Sequence, residues 1–86
     1  MKPNQAFSAL DATIERLLDI HDEGTFIELA QTILDLAIRS KTTEIPRSLT
    51  KNRTEIERKS LRYGSYAKNK ITEILQYYRL INLGDQ

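Results

Sequence analysis

Few residues in this chain are of the types that catalysis or metal binding requires. His21 is the single histidine, with Asp19, Asp22 and Glu23 around it. That composition would suit a metal site or an acid–base pair, but the spacing does not. Helical metal sites repeat their ligands at helical intervals, as in HExxH or paired ExxH, and neither pattern is present. His21 reads instead as a helix-end residue, where a cation meets the negative end of the helix dipole. Ser8, Ser40, Ser48, Ser60 and Ser65 have no histidine nearby in sequence and no GxSxG context. Three isolated glycines cannot form a phosphate-cradling loop. The absence of cysteine excludes disulfides, thiolate metal sites and a cysteine nucleophile. The residues point to a protein that is not an enzyme and carries no cofactor.

Charge is the stronger signal. The net charge of +1 conceals a split between the two halves of the chain. From Met1 to Arg39, seven acidic residues face three basic ones; from Arg47 to Lys70, eight basic residues face Glu55 and Glu57. Such asymmetry suits an anionic partner for the basic half, or mutual attraction between the halves of one bundle. A helix-turn-helix can be laid over this region. TEIERKSLRYG would be the supporting helix, and the following segment a recognition helix with Lys68, Asn69 and Lys70 near its start. Against it, the supporting helix has a poor apolar face. Tyr63, Tyr66, Tyr77 and Tyr78 cluster in the same third of the chain. Tyr78 fits a core face, whereas Tyr66 and Tyr77 beside Arg and Lys have the composition of a protein-contact surface. Core packing with hydroxyls at the rim accounts for the same residues.

These residues must be carried by helices. TFIELAQTILDLAIRS, Thr25 to Ser40, is the most apolar stretch and its apolar residues fill three rows: Phe26, Ala30, Ile33 and Ala37; Ile27, Leu34 and Ile38; Leu29 and Leu36. So wide an apolar surface needs neighbours on two sides, which predicts the most buried helix of a bundle. Gly24, Thr25 and Glu28 predict its start as a capping box. Before it, Asn4 to about Asp22 reads as an amphipathic helix, and the short turn His21–Gly24 predicts an antiparallel hairpin. Pro46 forces Ile45 out of helix, and Ile45 is expected at the core edge. A third, basic helix is predicted to begin between Pro46 and Leu49. Gly64-Ser65 marks either a break or a bend, and an amphipathic segment follows from Tyr66 to Leu83, with Gly84 placed to end it. The expectation is an all-α, antiparallel four-helix bundle in one domain over 1–86. Its predicted core is Leu10, Ile14, Leu17, Ile27, Ala30, Ile33, Leu34, Ala37, Ile71, Ile74, Leu75 and Tyr78. No run approaches the roughly 20 apolar residues of a membrane span. The first residues lack the apolar core of a signal peptide, so a cytoplasmic location is expected.

With that organisation in place, the chain resembles the immunity proteins of pediocin-like, enterocin A-type bacteriocins. The likeness runs from about Phe7 to Tyr78. An amphipathic first helix and a short acidic turn are followed by IELAQTILDLAIRS, by Pro46, by a basic helix and by AKNKITEIL, Ala67 to Leu75. The resemblance implies a small cytosolic four-helix protein that protects a bacteriocin producer from its own peptide. It implies action from the inner face of the membrane, as a peripheral protein, on the mannose phosphotransferase permease that serves as receptor, once bacteriocin has bound. Specificity in that family lies mainly in the C-terminal half. Carried over, partner binding would fall near Arg58, Arg62, Tyr63, Tyr66, Lys70, Tyr77 and Arg79. The cytoplasmic leaflet, being anionic, would favour such a basic surface. The alternative is a small DNA-binding regulator using the basic segment from Arg47 to Lys70; a plain protein-binding adaptor is a third reading.

Overall fold

The computed structural model describes residues 2–81. Four helices follow one another: α1 Pro3–Leu17, α2 Glu23–Ser40, α3 Arg47–Tyr63 and α4 Ser65–Tyr77. Among the described residues there is no strand. The fold is all-α, a bundle of two helical hairpins. α1 packs on α2 and α3, and α4 packs on α2 and α3, so α1 and α4 lie across the bundle from each other.

Three long-range contacts fix the sense of α1 against α3. Ser48 meets Asp11, Lys59 meets Leu18 and Tyr63 meets Ile20, so the two helices advance together. α4 advances with α2 in the same way, Lys70 meeting Gln31 and Tyr77 meeting Ala37. Each hairpin is antiparallel within itself, and the two stack in the same sense. The connection Lys41–Pro46 therefore crosses the bundle from α2 to α3.

The core holds one row from each helix. Ala6, Leu10, Ile14 and Leu17 come from α1; Phe26, Ala30, Ile33 and Ala37 from α2; Leu49 and Ile56 from α3; Ala67, Ile71, Ile74 and Leu75 from α4, with Tyr78 just beyond. Ala6, Phe26, Leu49, Ile56 and Ala67 join the core beyond the sequence-based set. Ile27 and Leu34 are partly buried around it, and Ile45 packs against its edge as expected. Ile38 is 55% exposed. The wide apolar face of α2 thus does not make it more central than the rest, because every helix here has two neighbours.

Several helix ends differ from the sequence reading for local reasons. α2 starts two residues before Thr25, because Asp22 is the cap and its Oδ2 accepts the Thr25 N–H at 2.9 Å. Gly24 then lies in the first turn, where N–H groups have no intrahelical acceptor. α1 stops at Leu17 rather than near Asp22. Its last carbonyls, on Glu15, Arg16 and Leu17, accept the N–H groups of Leu18, Asp19 and Ile20, and side chains of α3 take the Leu18 and Ile20 carbonyls just beyond it. His21 consequently sits in the turn between α1 and α2, four residues past the helix end. α4 ends at Tyr77 rather than Leu83, with Arg79 left-handed at φ 60°. The Arg79 N–H donates to Gln76 and the Leu80 N–H to Leu75, which is a Schellman closure. Gly84, expected to end this helix, lies outside the described residues.

α3 and α4 are separate helices joined by Gly64 alone, at φ 108° and ψ −170°. That region is essentially closed to residues with a Cβ. A bent continuous helix would need helical dihedrals there, so this glycine breaks the helix rather than bending it.

Candidate functional site

The region that brings together three of the seven sequence-predicted residues lies where α3 ends against the turn leaving α1. The last carbonyls of a helix have no intrahelical donor and need outside partners when they are covered. Here Lys59 Nζ donates to the Leu18 carbonyl at 2.6 Å, and the Tyr63 hydroxyl donates to the Ile20 carbonyl at 3.0 Å. An ammonium at a helix C-terminus is also favoured by the dipole. The Tyr63 ring lies on Phe26 with centroids 5.1 Å apart, which ties α3 to the first turn of α2. Lys59 and Tyr63 are therefore fixed parts of the scaffold. Between them and the turn is an open cleft of about 420 Å³, with Leu18 and His21 on one wall and Glu55, Arg58, Lys59, Arg62 and Tyr63 on the other.

The predicted partner residues divide among three places. Arg58, Arg62 and Tyr63 line the cleft together. Arg58 donates to Glu55 at 2.9 Å, while Arg62 is exposed and forms no ion pair with a described residue. Tyr66 follows just past Gly64 and is 74% exposed. Lys70 is halfway along α4 and turned toward α2, donating to Gln31 Oε1 at 2.6 Å with Glu73 at 3.8 Å. Tyr77 and Arg79 stand at the other end of α4. The Tyr77 hydroxyl points inward, within reach of the Ala37 carbonyl at 2.9 Å and the Thr42 carbonyl at 3.1 Å, so it closes the end of α2. Arg79 is exposed there.

Sequence reasoning missed Lys59, His21 and Leu18 as lining residues, and it missed a row. Arg47, Lys51, Arg58 and Arg62 are all exposed and spaced by four, seven and four residues, which puts them on one face of α3. That α3 is the most polar and exposed helix was readable from its sparse apolar residues; that these four cations align on one row was not drawn from it. Leu61, 61% exposed, flanks the row on the side of a shallow α3–α4 groove lined also by Lys68, Ile71 and Leu75.

The charge split is not consumed by pairing between the hairpins. All three ion pairs among the described residues lie within α3 or within α4: Arg53–Glu57, Arg58–Glu55 and Lys70–Glu73. Two acids of the first half serve as helix caps instead. Asp11 Oδ1 accepts the Ser48 N–H at 3.0 Å and the Ser48 hydroxyl at 2.7 Å. Those two bonds hold its carboxyl below its ordinary range, Arg47 adding to the effect and partial burial opposing it. Asp22 is lowered for the same kind of reason, its bond from the Thr25 N–H. Among the described residues, no three of His, Asp and Glu are grouped so as to hold a metal ion. No described helix is long and apolar enough to cross a membrane.

Compared with models of protein families, with curated proteins and with solved structures, the chain matches none. The functional reading rests on the site itself and on the pattern of the sequence.

Proposed function

We propose that this protein is a non-enzymatic immunity protein of the pediocin-like bacteriocin type. In this reading it works in the cytoplasm, at the inner face of the membrane, and binds the mannose phosphotransferase permease once bacteriocin has engaged it. The observation that supports the reading is the cleft end of α3. Basic and aromatic groups, Arg58, Arg62 and Tyr63, are exposed or half-exposed on a wall whose backbone is tied down by Lys59 and Tyr63. A backbone already held in place loses little further entropy on binding, and Arg and Tyr are the residue types that anchor protein contacts, which suits recognition of a protein. It also lies in the C-terminal half, where the resemblance places specificity.

The test is protection. The protein would be expressed in the cytosol of a sensitive lactic acid bacterium, and the cells challenged with a panel of pediocin-like peptides. Survival against one or a few of them is the expected result. Uniform killing, with the protein shown to be folded and present, would count against this reading. Exchange of the segment after Pro46 with that of a related immunity protein should carry the specificity with it.

The helix-turn-helix alternative finds Lys68 and Asn69 exposed at the start of α4. Its turn, however, is the single residue Gly64, where helix-turn-helix motifs have three or four residues. Lys70 is also engaged by Gln31.

A further inference from the structure

We infer that the outward face of α3, from Arg47 to the cleft at Arg62, is a docking track for an acidic peptide segment of a partner protein. The inference rests on the binding-protein reading above and names the chemistry of its partner. Arg47, Lys51, Arg58 and Arg62 form one exposed row, and 15 residues of helix extend it over about 22 Å. Helical repeat spaces these cations by one, two and one turns, so a second helix with carboxylates at the same four-, seven- and four-residue spacing matches the row in pitch.

Charge alone would admit a phosphate surface, but three features favour a peptide. The row ends in a concave cleft rather than on a crest, and Leu18 and Tyr63 contribute apolar and aromatic surface to it. A side chain can enter such a cleft, whereas a flat bilayer touches crests. The row is also interrupted by Glu55, which pairs with Arg58 at 2.9 Å. A carboxylate in the track opposes a continuous run of phosphates, but it tolerates a peptide that places an apolar or basic residue opposite it. Finally, the acidic hairpin cancels the basic one at a distance, leaving a net charge of +1. Beyond a screening length of about 8–10 Å a polyanion meets little attraction, so binding depends on contacts made within the track. Bidentate carboxylate recognition by Arg then supplies both strength and direction.

The probe is a fluorescein-labelled helical peptide with Glu at that four-, seven- and four-residue spacing and Leu in the turn facing Glu55 and on the adjacent row. It is titrated with the intact protein and followed by anisotropy. Its controls are the same peptide with Gln for Glu, single-stranded DNA, and phosphatidylglycerol vesicles. The expected result is binding of the Glu peptide that weakens with salt and is lost at least tenfold for the Gln peptide. Arg62→Glu and Lys51→Glu should each weaken it several-fold, with the helical circular dichroism unchanged. Arg39→Glu, exposed in the last turn of α2 across the bundle from α3, should leave it unaffected. Equal binding of the Gln peptide, tighter binding of DNA or vesicles, or no binding of the Glu peptide would each overturn the inference. So would concentration-dependent dimerisation that occupies the same arginines. Failure of the two readings is separable. Protection that survives Lys51→Glu and Arg62→Glu sinks the track and leaves immunity standing, whereas peptide binding by a protein that protects no cell does the reverse.

Discussion

At the scale of single residues, the sharpest contrast is between two adjacent tyrosines. The rings of Tyr77 and Tyr78 meet edge to face at 5.0 Å, yet their hydroxyls fare differently. The Tyr77 hydroxyl has two carbonyl acceptors, whereas that of Tyr78 is buried with no partner in the protein. Removing a satisfied buried donor costs about 1 kcal/mol, while removing an unsatisfied one costs little or stabilises. Tyr77→Phe should therefore lower the urea midpoint and Tyr78→Phe should hold or raise it; the reverse order would show the hydroxyls to be misassigned. The same burial, followed by the Tyr77 and Asp11 charges, pushes the Tyr78 phenol above its ordinary value. A folded pKa raised over the unfolded one, about 10, means stability that is complete below pH 10 and declines as pH rises further. The alkaline decline should be smaller in Tyr78→Phe. Sequence period alone placed Tyr78 in the core. It could not tell which neighbouring hydroxyl finds a partner, since the acceptors of Tyr77 lie 40 and 35 residues away in sequence.

At the scale of elements, what matters is how each helix starts and stops. The N-cap position of α3 is Pro46, which offers no side-chain acceptor, and the missing cap comes from Asp11 of α1. Asp11→Ala should cost about 1 kcal/mol, as loss of an N-cap does, measured as a shift in chemical unfolding. Because the bonds to Ser48 lower the Asp11 pKa, its contribution is present above the unfolded value of about 3.9 and is lost as pH falls below it. The acid limb of the stability curve should flatten in Asp11→Ala. The single-residue link at Gly64 makes a second prediction. An added Cβ would meet nothing within 4 Å, so the cost of Gly64→Ala is purely that of the backbone at φ 108°. Roughly 1–3 kcal/mol is expected for that region, with thermal unfolding as the check; no loss would mean the two helices merge in the variant. Helix existence was legible from apolar spacing, and so were the ends marked by Ser40, Pro46 and Gly64. The α1 stop, the α2 start at Asp22 and the α4 stop were not; the last rests on a left-handed Arg79, where sequence rules look for glycine.

At the scale of the whole molecule, the charge split is the feature that most separates two accounts of stability. The sequence allowed the acidic and basic halves to hold each other together, and the polar, basic character of α3 was readable from its composition. Which account applies was not readable, because it depends on which faces the hairpins turn toward each other. The hairpins meet through apolar rows, through Asp11 on Ser48, and through Lys59, Tyr63, Lys70 and Tyr77 on uncharged acceptors. No ion pair among the described residues crosses between them. Exposed charges without such pairing contribute little, so reversing them should change stability by no more than about 0.5 kcal/mol each. Lys51→Glu with Arg62→Glu, which lowers the charge of the basic half by four, is thus expected to unfold at nearly the same urea concentration as the parent at low and moderate salt. A loss of several kcal/mol that salt abolishes would mean the halves are held electrostatically, and the row on α3 would then be part of the fold. Retained stability would leave that row available to a partner, with a helix end behind it already fixed by Lys59 and Tyr63.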